Sequence, residues 1–354
     1  MSDMPSSDLV LRRTVGMAAA VVVIAGLKLA QAILLPMIIA LFVAILCAPL
    51  FTWLTRHRVP RLVAVLIIMV LVFLVVSGFG AVVGNSVDQF TEQLPTYQAR
   101  WNHLANSMDG WLKANGIETG TIQPFKMINA GSALSMLGGT LKGTVSAVSN
   151  GFMILLIVIF MLLEWSDFPK KVMLAFPDGE RRRERAEVMG RQILHYLSLK
   201  TVLSLATGLA IGIWLAVVGL DFVVLWAVIA FALNFIPNIG SVIAAIPAVL
   251  LAVVQLGWGK ALMVALGYLA VNTVIGNFIE PALMGHQLGL SPLVVFLSLI
   301  VWGWLWGPVG MLLSVPLTMM IKISLENDDS LRWIAVLLGP GESPPPPPKP
   351  SADA

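Results

Sequence analysis

Apolar positions in this chain run in long blocks separated by short polar stretches. The blocks at about 15–30, 33–54, 62–84, 145–163, 201–219 and 261–279 each read as one helix crossing a bilayer. About 20 residues at 1.5 Å rise cover some 30 Å of hydrocarbon. Two further blocks, about 222–256 and 293–323, are too long for one span, and helix breakers interrupt each in the middle. In one the break is Ile236-Pro237-Asn238-Ile239-Gly240; in the other it is Gly307-Pro308-Val309-Gly310. Proline lacks an amide hydrogen and clashes with the preceding turn, so each block should fold as two short helices. Arms of about 13 to 16 residues reach roughly 20 to 24 Å, which suits re-entrant hairpins better than paired spans. The prediction is an all-α polytopic membrane fold with about six full transmembrane helices plus two broken helical hairpins, or about eight hydrophobic helices.

Composition excludes a soluble alternative. Of 354 residues, 58% are hydrophobic and 12% charged, against about 25% charged in an average soluble domain. The first block follows Arg12 and Arg13, lacks a small-residue cleavage site and precedes more apolar blocks, so it is expected to be a retained span. The net charge of +3 could suggest nucleic acid, but the basic residues sit in short loops beside the spans. Arg12, Arg13, Arg56, Arg58, Arg61 and the cluster from Lys170 to Arg191 mark cytoplasmic segments. The stretch 85–144 holds only Arg100, Lys113, Lys126 and Lys142 and is expected outside. The expected partner is therefore the lipid bilayer of a bacterial inner membrane, not nucleic acid, with both termini cytoplasmic. The chain divides into helices 1–3 (1–84), an external amphipathic segment (85–144), a fourth span with a basic loop (145–199), a hairpin-bearing transport region (200–326) and a disordered Pro-rich tail (327–354).

This topology brings the Pro237 hairpin in from outside and the Pro308 hairpin in from inside. A span followed by a hairpin then occurs twice in opposite orientation, the inverted repeat of many secondary transporters. Pro237, Gly240 and Pro247 echo Pro308, Gly310 and Pro316. In the external segment Phe90, Leu94, Tyr97, Trp101, Leu104, Met108 and Trp111 form a heptad-like stripe, and Pro95 places the start of its clean helix. That stripe suits either a neighbouring subunit or the chain's own core.

Polar side chains inside hydrocarbon need a partner or a cavity. Asn234 and Asn238 flank Pro237, while Asn272, Asn277 and Glu280 lie on the span between the hairpins. On an α-helix Asn272, Gly276 and Glu280 share a face. Together with Pro237, Gly240, Ser241, Pro308 and Gly310 at the breaks, they are the candidate solute pathway. Each has a plainer reading: helix capping for Asn234 and Asn238, interhelical hydrogen bonding for Asn272 and Asn277, and an interfacial salt bridge for Glu280. Amides and freed backbone groups suit a small, polar, uncharged solute, since an anion would call for arginines in the apolar helices and none occur there. Lys28 and Lys322 are expected to snorkel to the interfaces. The GxxxG pair Gly208 and Gly212 fits close helix packing. Cys47 is the single cysteine, and the histidines at 57, 103, 195 and 286 have no metal-ligand or triad spacing, so no catalysis, metal or cofactor is expected.

The residues Asn234-Phe-Ile-Pro-Asn-Ile-Gly-Ser241, Ile279-Glu-Pro281, Met284-Gly285, Leu288-Gly-Leu-Ser-Pro292, Trp302-Gly-Trp-Leu-Trp-Gly-Pro-Val-Gly310 and Ser314-Val-Pro-Leu317 resemble the autoinducer-2 exporter family. The resemblance runs from the Arg58-Val-Pro-Arg61 loop through Met161-Leu-Leu-Glu164 and covers nearly everything but the proline tail. It implies a homo-oligomer, with a pentamer as the family's assembly, an elevator-like movement of the hairpin half, and export of the quorum-sensing signal autoinducer-2. Some relatives are linked to sodium/proton exchange, for which Glu280 is the candidate. A membrane scaffold acting through the external stripe and the tail is the third alternative.

Overall fold

In the computed structural model the described residues are 6–115, 151–165, 167, 171, 179–237, 239–284, 289–326 and 331–340. Among them every regular element is helical: α1 (Ser6–Leu29), α2 (Gln31–Arg56), α3 (Arg61–Ala114), α4 (Gly151–Glu164), α5 (Gly179–Val218), α6 (Val223–Leu233), α7 (Ile239–Leu256), α8 (Trp258–Asn272), a π-helical segment (Thr273–Ile279), α9 (Glu280–Met284), α10 (Pro292–Glu326) and α11 (Arg332–Leu338). Six helices among the described residues are long and apolar enough to cross a membrane. The expected all-helical, multi-pass fold is thereby met. Two of these six, Ile239–Leu256 and Pro292–Glu326, belong to the blocks read as hairpins.

The chain forms two compact units, Pro49–Phe152 with Val172–Leu288, and Met1–Ala48 with Met153–Lys171 and Gly289–Ala354. In the first of these, α5 is the organising element. Ser204, Gly208, Ile211, Gly212 and Leu215 are buried along one side, whereas Val202, Leu205, Leu209, Ile213 and Val217 are exposed along another. Small and polar residues join large ones on the buried side while the outer side is large aliphatic, an exposure that a lipid solvent allows because lipid tails give apolar side chains no reason to hide. Gly208 and Gly212 let α6 approach: an ideal Cβ on Gly208 would lie 2.8 Å from the Ala227 carbonyl oxygen, and one on Gly212 3.1 Å from the Ala227 Cβ. The glycine pair is thus the seam between α5 and α6.

α3 departs from expectation. Its 54 residues run unbroken through Pro95 and extend about 81 Å, far beyond about 30 Å of hydrocarbon. The boundary expected at residue 84 and the helix start expected near Pro95 both fall inside this one helix. Proline removes one hydrogen bond, but Phe90, Leu94, Tyr97 and Trp101 are buried on both sides of it in the core formed with α5 to α8, which holds the two halves on one axis. This part of the stripe therefore covers the chain's own core, through edge-to-face contacts such as Phe90 with Trp226 at 5.9 Å. The side chains of Met108 and Trp111 lie outside the description.

In the other unit α10 is two arms. Trp306 (φ −128°, ψ 16°) and Gly307 (φ 66°, ψ −149°) leave helical geometry, and glycine meets the positive φ without a Cβ penalty. The Trp302 indole Nε1 donates to Thr318 Oγ1 at 3.1 Å, across 16 residues that a straight helix would hold about 24 Å apart. The arms therefore fold back on each other. α11 lies within the stretch 327–354 that was expected to be disordered. Its Ala335 is buried, it packs on α10, and the Leu338 carbonyl accepts the Ser291 amide at 3.0 Å. These contacts give the segment Arg332–Leu338 a partner; the run of prolines beyond it lies outside the described residues.

Candidate functional site

The hairpin of α6 and α7 is tied at its base. The Asp221 amide donates to Gln255 Oε1 at 2.9 Å, and Gln255 Nε2 donates to the Gly219 carbonyl at 3.3 Å. The Tyr97 hydroxyl donates to Asp221 Oδ2 at 2.7 Å, and the Trp226 indole to the Asp221 carbonyl at 3.0 Å. The start of α6 and the end of α7 thus lie at one level, with Asn234 and Ile236 of the tip buried inside the unit. The arms are 11 and 18 residues long, unequal where similar lengths were expected.

Asn234 sits at the tip, 7% exposed, at the C-terminal end of α6, where its amide N–H still bonds the Ala230 carbonyl at 3.0 Å. Its side-chain Nδ2 donates to Ser204 Oγ at 3.1 Å. Ser204 is about 21 Å along α5 from Val218, so the contact lies deep within the span. In a membrane a buried bond of this kind contributes about 0.6 kcal/mol on average and about 1.7 at most. Pro237 is half-buried in the turn, and its carbonyl accepts the Ile239 amide at 2.6 Å. Gly240 is buried, and an ideal Cβ there would be 1.8 Å from the Leu233 carbonyl oxygen. Only glycine allows the chain to turn this tightly. Ser241 is half-buried just after it. Asn238 lies outside the described residues.

One turn below Ser204 on α5 is Lys200. Its Nζ meets Glu280 Oε1 at 2.6 Å, with the side chains 3% and 21% exposed. The salt-bridge reading of Glu280 is realised, with Lys200 as the partner. The segment Thr273–Ile279 is π-helical, and a π turn takes one residue more than an α turn. Asn272 and Gly276 stay on one face, with Asn272 Oδ1 3.2 Å from where a Gly276 Cβ would be, while Glu280 is engaged by Lys200 of α5. Asn272 is half-buried and Asn277 is exposed.

The α10 tip has a different finish. Gly310 is buried, and an ideal Cβ on it would lie 2.0 Å from the Trp302 carbonyl oxygen; Pro308 is exposed. Trp306 Nε1 donates to the Leu27 carbonyl at 3.2 Å, and Lys28 Nζ lies 4.0 Å above the Trp304 ring. Lys28 thus stacks on an indole face rather than only reaching for an interface. Lys322 bonds Glu326 Oε1 at 2.6 Å beside Gly289. Ser204 and Lys200 were the residues sequence reasoning missed. The signal for them was present in the Lys200, Ser204, Gly208, Gly212 ladder at intervals of four.

A broken membrane helix with a polar tip is tolerated where protein or a cavity satisfies the freed backbone groups. The model of the AI-2E family transporter matches residues 17–328. This chain belongs to the AI-2E transporter family. It is 43% identical to the AI-2 transport protein TqsA of Escherichia coli over 321 residues, covering 90% of this chain and 92% of the relative. A putative transport protein of Haemophilus influenzae is 39% identical over 342 residues, covering 94% and 98%. Putative transport protein YrrI of Bacillus subtilis is 28% identical over 315 residues, covering 83% and 86%. AI-2E family membership makes the protein a multi-pass membrane transporter with the bilayer and a small solute as partners, and both glycine-sealed breaks lie within the matched residues.

Proposed function

We infer that the protein is a secondary carrier of the bacterial inner membrane that exports a small polar signalling molecule, autoinducer-2, with both termini cytoplasmic. The observation that carries this reading is the buried Asn234 amide, held on Ser204 at the tip of a broken helix. A membrane helix is interrupted only where protein or water satisfies the freed backbone groups, and an amide beside such a break can exchange its protein partner for a hydroxylated solute. The relative named as an AI-2 transport protein, 43% identical, supports the choice of solute. The proposed pathway in this unit runs past Asn234, Pro237, Asn238, Gly240 and Ser241 at the tip, with Asn272 and Glu280 on the following helix; Pro308 and Gly310 form the second break. Assembly as a homo-oligomer belongs to the same proposal.

Labelled autoinducer-2 should enter liposomes containing the purified protein with saturable kinetics. Absence of saturable flux, with sodium-driven proton movement in its place, would replace this reading with antiport.

A further inference from the structure

We propose that Lys200 is a built-in counter-ion for Glu280, standing where a proton or a sodium ion would sit in a carboxylate-coupled carrier. The wild-type protein then moves its solute without needing an ion gradient. Lys200 is 2% exposed and lies on the inward side of α5 one turn from Ser204, which holds the hairpin tip through Asn234. Its ammonium meets Glu280 at 2.6 Å. An unpaired charge within a membrane helix is costly, and carboxylates there mark ion pathways; a fixed ammonium offsets part of that cost without an ion from solution.

Two features indicate that the pairing is built in. The π-helical turn just before Glu280 re-aims the helix, so a register change is spent on bringing this carboxylate to α5. The pair also shares α5 with the hairpin-tip contact, so the charge and the proposed solute contact are mounted on one rigid helix. α5 and the π-helical segment pack against α9. Of the titratable groups on this part of α5, Lys200 meets Glu280, and Tyr196 one turn earlier is buried; His195 and Arg191 are exposed, and the π-helical segment contributes none.

The test has one arm that needs no solute. Unfolding of the purified full-length protein is followed from pH 5 to 8, with and without sodium chloride, choline chloride serving as the ionic-strength control. In Lys200→Met the Glu280 carboxylate is left within the protein without its cation, an arrangement that disfavours the charged form. The folded variant is therefore favoured at acid pH and loses stability as pH rises. The unfolding constant should gain up to about tenfold per pH unit relative to wild type, sodium should reverse the loss, and Lys200→Met/Glu280→Gln should abolish both effects. Glu280→Gln alone leaves an unpaired ammonium and should tilt the other way, with stability rising toward alkaline pH. This second variant keeps the test decisive if Lys200→Met does not fold.

The flux arm rests on the proposed transport of autoinducer-2. Wild-type flux should ignore imposed proton and sodium gradients, and Lys200→Met flux should follow them. Single variants whose pH and sodium profiles run parallel to wild type would overturn the proposal, as would wild-type flux that already follows a gradient. Absent wild-type flux with the opposed pH slopes intact counts against the solute reading and supports the counter-ion.

Discussion

An ideal Cβ on Gly240, in the hairpin of α6 and α7, would lie 1.8 Å from the Leu233 carbonyl oxygen and 3.0 Å from the Ile236 Cβ. On Gly310, in the hairpin formed by α10, it would lie 2.0 Å from the Trp302 carbonyl oxygen and 3.0 Å from the Trp306 Cβ. The two breaks share a buried glycine set tightly against a carbonyl oxygen of the preceding arm but differ in the side chains that complete them. The first presents a buried amide on a serine and has an ion pair one turn away on the same helix. The second is closed by indoles, with Trp302 on Thr318 and Trp306 on the Leu27 carbonyl. Similar turns can therefore serve unlike purposes: the amide tip can exchange partners with a solute, while the indole tip is fully occupied in holding its own arms and α1.

The largest expected effect is common to both hairpins. Gly240→Ala and Gly310→Ala each drive a methyl group into backbone, which cannot yield as a flexible side chain could, so each should cost at least the upper part of the usual range of about 1–3 kcal/mol for overpacking. Thermal unfolding in detergent measures this, and a mild effect at either glycine would end the claim of equivalent turns. Next, Asn234→Ala should abolish most transport while lowering stability by no more than about 1.7 kcal/mol. Trp302→Phe, which loses the bond to Thr318 and part of the ring contact with Trp306, should cost about 1–2 kcal/mol and leave flux near wild type. Lys28→Gln removes the cation from the Trp304 face and should cost about 0.5–2 kcal/mol, read as earlier unfolding. Asn277→Ala, at an exposed position, should change stability by no more than about 0.5 kcal/mol.

The positions of both breaks were legible in the sequence because proline and glycine act on their own backbone, so local chemistry determines the outcome. The apolar spans were legible for the same reason, through length alone. Long-range pairing was not: Lys200 and Glu280 are 80 residues apart, and nothing near either residue names the other. The π-helical segment was not legible either, because no local residue marks the extra residue in its turn, so α-helical spacing located Asn272 beside Gly276 but not the partner of Glu280. Pro95 was overweighted, since a local rule ignored the buried aromatic residues that carry α3 through it. Asn234 was identified correctly as a polar residue at a break, but its partner Ser204 emerged only once the glycine seam brought α5 against α6.

The most direct test of the account is saturable uptake of labelled autoinducer-2 into proteoliposomes containing wild type, Asn234→Ala or Trp302→Phe at equal reconstituted amounts. The account predicts saturable flux in wild type and Trp302→Phe and its loss in Asn234→Ala. Undiminished flux in Asn234→Ala, or its loss in well-folded Trp302→Phe alone, would contradict the assignment of the solute to the amide tip.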